Sequence, residues 1–203
     1  MTSFSFGLLC LSSLITIIDP LATAPLFISL TQGCTVPERR AVAGRACRVA
    51  LVLLLVFAVG GSTILKVFGI TIHAFRIAGG LLFFGTGAGM LRGGSHAQPS
   101  QEDDVDLAIV PLAMPLICGP GALSTVMVLM GQATSVGQVL AFFVALVLAV
   151  LLTWLCLLAA PRALRMLGKS GIVVLTQVLG LILCVIGVQF VADGIRPLLQ
   201  EIL

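Results

Sequence analysis

Of the 203 residues, 59% are hydrophobic and only 9% are charged, and the mean hydropathy is +1.21. Soluble domains carry about a quarter charged residues, so this chain lacks the polar surface to cover itself in water. The net charge of +3 is a sign of membrane topology, as its distribution shows below, and no nucleic-acid partner is expected.

The long runs of Leu, Val, Ile and Ala read as membrane helices, because a membrane barrel alternates over short segments instead. Residues 107–161 contain no Asp, Glu, Lys or Arg. At about 20 apolar residues per crossing, that stretch holds two spans with a short turn. Residues 1–6 carry no Lys or Arg side chain, unlike the positive start of a cleavable signal, so the first apolar run reads as a retained helix.

Six helices follow in chain order. The first covers about residues 4–31 and is interrupted at Asp19-Pro20 and at Pro25. The second covers 41–59, entered through Glu38-Arg39-Arg40. Residues 60–72 are punctuated by glycine, hold Lys66, and read as a connecting loop or a short re-entrant piece. The third helix covers 73–91. Residues 92–106 form a polar linker with Pro99 and an acidic cluster at Glu102, Asp103, Asp104 and Asp106. The fourth helix covers 107–130, broken near Pro115 and at Gly119-Pro120-Gly121. The fifth covers 138–160, and the sixth covers 171–193.

Basic residues cluster on alternate connections. Eight of them (Arg39, Arg40, Arg45, Arg48, Arg92, Arg162, Arg165 and Lys169) fall on one side, against Lys66, Arg76 and Arg196 on the other. The positive-inside rule then puts both termini outside the cytoplasm. The cysteines Cys10, Cys34, Cys47, Cys118, Cys156 and Cys184 are scattered singly, mostly in apolar runs. They read as small hydrophobes, with neither disulfide nor metal role.

The chain also repeats itself. Pro20-Leu21-Ala22-Thr23-Ala24-Pro25 aligns without gaps on Pro115-Leu116-Ile117-Cys118-Gly119-Pro120, 95 residues apart, and brings Ser29 onto Ser124. Gly80-Leu81 aligns on Gly180-Leu181 at an offset of 100. Residues 1–91 and 107–203 thus form two three-helix repeats around the linker. Three is odd, so the second repeat enters the membrane from the opposite side. The fold class is all-α, a polytopic membrane protein of two inverted repeats with helices one and four discontinuous, the arrangement that places a solute site at the midplane.

Each proline removes a backbone donor and clashes with the turn before it, so the residues between each pair are expected to unwind. Unpaired backbone in hydrocarbon costs several kcal/mol, and such breaks persist where they face protein, water or a ligand. Pro25 and Pro120 are expected to start new half-helices, whose amides carry partial positive charge. Asp19 is the sole acid within helix one. A carboxylate at that depth costs about 2.5–3.5 kcal/mol on insertion scales, so it is expected to face an interior cavity, or to cap the amides beyond the break. The repeat places Met114 opposite it.

The candidate substrate-binding set is Asp19, Pro20, Thr23, Ala24, Pro25, Pro115, Gly119, Pro120, Gly121, Ser124 and Thr125. Ser124 and Thr125 would donate to a ligand or bond back to their own helix. Asp19, Arg76 and Gln177 are candidate coupling or gating residues, although Arg76 would equally snorkel to the interface and Gln177 and Gln189 would equally bond between helices. Gly85 and Gly89 form a G-x-x-x-G, most often a close-packing face. The run Gly85 to Gly89 also has the look of a nucleotide loop, but it follows no strand. His73 and His96 lack metal-ligand spacing, and no nucleophile–base set emerges, so neither enzyme activity nor cofactor is expected.

Five stretches, IDPLATAPLFISLT, ERR, FGI…FRIAGGLL, VPLAMPLICGPGA and GVQFVADGI, resemble the MarC family of bacterial inner-membrane proteins across nearly the whole chain. The resemblance implies six membrane helices and, for some members, transport of small neutral amino acids. Members commonly have Asn or Asp where Asp19 stands, Gly and Asn where this chain has Ala22 and Thr23, and Arg in place of Gln177.

The expected function is secondary transport of a small neutral amino acid or similar polar solute, with H+ or Na+ as candidate coupling ion and the two halves rocking around the breaks. A homo-oligomer is a candidate assembly. The alternatives are a non-transporting structural or regulatory membrane protein, or an exporter of other small molecules.

Overall fold

Thr2, Thr35 and Thr71 each stand just ahead of a helix, and each caps it. Their hydroxyls accept from the amides of Ser5, Glu38 and Ala74 at 3.3, 3.5 and 3.1 Å. Thr35 forms a full capping box, since the Glu38 carboxylate accepts from the Thr35 amide at 2.7 Å. The computed structural model describes residues 2–31, 33–92, 108–163 and 168–200. All its regular structure is helical among the described residues: α1 Ser3–Ile18, α2 Pro20–Leu30, α3 Val36–Val67, α4 Ile72–Leu91, a π-helix Ala108–Ile117 (π1), α5 Pro120–Gln132, α6 Val136–Ala163 and α7 Gly168–Gln200. The acidic cluster at 102–106 and His96 lie outside the described residues.

Five stretches are long and apolar enough to cross a membrane: Ser3–Ile28, Val36–Val67, Ile72–Leu91, Val136–Arg162 and Val173–Pro197. The expected fourth helix is instead two short pieces, π1 and α5. Three other boundaries differ from expectation. Residues 60–67, read as loop or re-entrant, continue α3, and the connection to α4 shrinks to residues 68–71 with Gly69 at φ 64°. Gly61 survives inside that helix because it receives a neighbour, a Cβ there lying 2.6 Å from Met127 Sδ on α5. α6 runs on through Pro161 and α7 through Pro197.

The largest buried cluster comes from α1, α2, α3, π1, α5 and α6. It includes Leu14, Phe27, Leu54, Leu112, Leu123 and Phe142. α1 lies along α6, with Ser3 against Gly137 and Gly7 against Ala141, so those two helices run parallel. π1 and α5 lie along α3, and α2 lies on α6.

The most extensive packing is between α4 and α7. A Cβ on Gly80 would lie 2.5 Å from the Gly187 carbonyl, one on Gly87 would lie 2.5 Å from the Gly180 carbonyl, and one on Gly194 would lie 2.7 Å from that of His73. As numbers rise on α4 they fall on α7, so the pair is antiparallel. The glycines recur every seven residues, the period that keeps one stripe on a partner helix, and missing side chains let the backbones close up.

Candidate functional site

The first break is a single residue. Asp19 ends α1 in the left-handed region at φ 44°, ψ 73°, its amide donating to the Ile15 carbonyl at 3.0 Å. It also starts α2. Its carboxylate accepts from the Ala22 amide at 3.1 Å and its carbonyl accepts from the Thr23 amide at 3.1 Å. Aspartate tolerates this conformation better than most residues because its short side chain bonds locally. Of the two roles weighed for Asp19, capping is therefore directly visible. Its side chain is exposed rather than enclosed in an interior cavity.

The unwinding expected across Pro20–Pro25 does not occur. Pro20, not Pro25, opens the new half-helix, and Pro25 lies inside α2. The first helical position needs no amide, whereas Pro25 denies the Leu21 carbonyl its usual donor. Ala24 before it is a strong helix former, and the Asp19 cap holds the turn. Thr23 is buried, its hydroxyl donating to the Asp19 carbonyl at 2.9 Å. Pro20 and Pro25 are buried and Ala24 is half-buried.

The second break comes later in the matching motif. Pro115 lies within π1, where the Cys118 amide reaches the Ala113 carbonyl five residues back at 2.9 Å; a widened turn is one way a helix accommodates inserted strain. The chain opens at Cys118 and Gly119, the latter extended at φ −77°, ψ 172°, and Pro120 opens α5 as expected. Glycine on both sides of Pro120 lowers helix propensity, and the residue before a proline is driven out of the helical region. Gly119 offers no capping side chain, so the first-turn amides of Gly121 and Ala122 lack the carboxylate that α2 receives from Asp19. The side chains of Pro115 and Ser29 lie outside the described residues.

The two breaks come together. A Cβ on Gly121 would lie 3.1 Å from Ile17 Cδ1, two residues ahead of Asp19, and 2.7 Å from the tip of Phe190 on α7. Pro120 presses on Gly79 of α4. Phe190 in turn packs against Phe83, ring centroids 5.7 Å apart and planes tilted by 37°. Sequence reasoning missed Ile17, Gly79, Phe83 and Phe190, and the double glycine at 79–80 was the available signal. Ser124 is buried with its hydroxyl donating to the Gly121 carbonyl at 3.0 Å, the back-bonded alternative, and Thr125 is half-buried.

Arg76 and Gln177 are not brought together. The seam register sets them toward opposite ends of the α4–α7 pair. Gln177 is exposed, while Arg76 is half-buried one turn ahead of Gly79 and Gly80 on the same helix face. The G-x-x-x-G at Gly85 and Gly89 is not the internal packing face, since nothing lies within 4 Å of either position.

All regular structure among the described residues is helical, with five membrane-length apolar stretches; the first, broken at Asp19, meets the second broken segment, π1 and α5, inside the bundle, and this defines a multi-pass integral membrane protein. The MarC family of integral membrane proteins matches it over residues 4–199, and the chain belongs to that family. It is 39% identical to a UPF0056 membrane protein of Methanocaldococcus jannaschii, covering 94% of this chain and 96% of that one. It is 34% identical to YvbG of Bacillus subtilis, covering 95% of each chain. It is also 34% identical to YhcE of Escherichia coli, covering 94% of this chain and 92% of that one. Both are UPF0056 membrane proteins. No solved structure matches the chain.

Proposed function

We propose that the protein is a secondary transporter of a small neutral amino acid or similar small polar solute across the inner membrane, built as six crossings in two inverted repeats. The observation that carries this reading is the meeting of the two helix breaks through Ile17 and Gly121.

Three relationships support the inverted repeat. Adding 100 to each α4 number exchanges the Gly80–Gly187 contact with Gly180–Gly87, and Cys184, which approaches the Phe84 carbonyl at 3.6 Å, is the counterpart of Phe84 itself. The same offset relates the entries to α3 and α6. Thr35 and Glu38 cap one; at the other, the Gln138 amide donates to Ser135 Oγ at 3.3 Å and its side-chain oxygen accepts from the Thr134 amide at 2.8 Å. Finally, α1 and α6 run parallel. With α3 and α4 crossing in alternation and only residues 133–135 between α5 and α6, parallel packing of α1 and α6 favours a single crossing by π1 and α5 together.

The site is asymmetric. Asp19 already occupies the amide end of α2, which leaves the amide end of α5 to receive a carboxylate. Arg76, a turn from the Gly79–Pro120 contact, adds a cation on that side. Asp19 keeps acceptor capacity for an ammonium group or a coupling H+ or Na+. Eight basic residues against three favour both termini outside the cytoplasm.

A non-transporting structural or regulatory role is the second reading. It is favoured by the close packing of Ile17, Gly79 and Phe190 over the second break. Uptake of labelled glycine and alanine into proteoliposomes under proton and sodium gradients decides between them. Accumulation that falls with Asp19→Asn supports transport. No movement under any gradient supports the second reading.

A further inference from the structure

The buried cluster at the centre of the molecule draws on α1, α2, α3, π1, α5 and α6, and α4 reaches it only through half-buried Phe75. The described buried residues of α7 are Thr176, Gly180, Cys184, Gly187 and Gly194. Four of these five meet α4 directly: the three glycines through its backbone and side chains, Cys184 through Gly87 and the Phe84 carbonyl. α7 therefore spends its packing face on α4.

What joins this pair to the remaining helices is sparse and localised. Pro120 sits on Gly79, Phe190 on Gly121, and Phe75 stacks on Phe57 of α3 with centroids 6.1 Å apart. α4 touches α5 and π1, and α7 touches α2. α2 and α5 are the two half-helices that follow the breaks, and π1 leads into the second. In a bilayer, where lipid is as apolar as leucine, helix association rests on close packing rather than on apolar burial. The glycine seam, with backbone against backbone along its length, is the extensive interface. The contacts at the breaks are as close but few, and sparsely packed boundaries are where packed helices shear.

We infer that α4 and α7 move as one rigid arm against a core of α1, α2, α3, π1, α5 and α6. The moving body thus takes one helix from each half of the chain, rather than being one of the halves. Shifting the arm lifts Phe190 off Gly121 and Gly79 off Pro120, and so uncovers the amide end of α5. The inference deepens the proposed transport reading and rests on it for its purpose, but its geometry is testable without a substrate.

The test uses the full chain in liposomes with native cysteines replaced by alanine. Spin-label pairs are placed at the exposed positions Leu82 and Val185, both on the arm, and at Val185 and Val52, arm to core. Distance distributions should show one narrow distance within the arm and two distances, or one broad one, from arm to core. A narrow distance for both pairs overturns the inference, as does a split distance within the arm. In a second experiment Cys184 is retained and joined to Phe84→Cys across the seam, while Phe57→Cys and Phe75→Cys are joined across the arm–core boundary. Only the second cross-link should abolish uptake, reversibly on reduction. Loss of uptake with the seam cross-link overturns the rigid arm. Absence of uptake from the uncross-linked protein, with two arm-to-core distances present, refutes the transport reading and leaves the moving arm standing.

Discussion

Ile17 of α1 and Gly121 of α5 stand against each other, a Cβ on Gly121 falling 3.1 Å from Ile17 Cδ1. One residue lies just before the first helix break and the other just after the second. Neither carries a polar side chain, yet their contact sets the end of α1, which Asp19 terminates, against the uncapped start of α5.

Gly121 should therefore resist enlargement. Gly121→Leu would drive a side chain into Phe190 and Ile17, and overpacking of this kind costs about 1–3 kcal/mol. Thermal melting in detergent should show a clear loss, and Phe190→Ala in the same chain should restore part of it. Unchanged melting of the single variant would contradict the packing described.

The two classes of glycine on α4 should behave oppositely. Gly87 faces the Gly180 carbonyl, which has no flexible end to withdraw, whereas Gly85 has nothing within 4 Å. Gly87→Leu is expected to destabilise the fold by about 3 kcal/mol or more, and Gly85→Leu to stay within about 0.5 kcal/mol. Steric trapping in bicelles measures both.

Asp19 permits its backbone role to be separated from its charge. Asn tolerates the left-handed conformation and retains a capping oxygen, so Asp19→Asn should melt like the wild type. Asp19→Ala loses the cap and adds backbone strain, together about 2 kcal/mol. Under the proposed function Asp19→Asn nonetheless loses uptake, because only the charge has gone. A variant that transports normally would remove the carboxylate from the mechanism.

Topology offers a further check. In a chain cleared of other reactive thiols, Phe68→Cys and Ser135→Cys should react with an impermeant maleimide added to intact cells, and Cys34 only after permeabilisation. Labelling of Ser135→Cys from the same side as Cys34 would mean that π1 and α5 do not cross.

Much of the architecture was legible in composition and punctuation. Apolar runs placed the helices and Pro120 marked the start of one, whereas the caps Thr2, Thr35 and Thr71 went unread. The interrupted first and fourth segments were also legible, because a proline removes a donor wherever it falls. The form of each interruption was not. Identical Pro-x4-Pro spacing yields a one-residue kink at Asp19 in one half and a π-turn with an opening at Gly119 in the other. The difference lies in the flanking residues: a capping aspartate and helix-forming Ala24 against two glycines. Residues 60–67 misled for a related reason, since Gly60 and Gly61 read as loop while Gly61 in fact makes room for Met127.

By itself, then, the sequence determined the solvent, the helical class, the doubled motif and the family, all of which follow from local residue chemistry and its order along the chain. Only the tertiary structure decided which glycines face a partner, that Ile17 and Phe190 close over Gly121, and that α4 pairs with α7 rather than with its own half. Those relationships depend on close approach between segments far apart along the chain, as Gly80 and Gly187 or Gly121 and Phe190 are. In a membrane, where the spanning part of a helix is apolar on most of its surface, no periodicity in one helix names the neighbour it will meet.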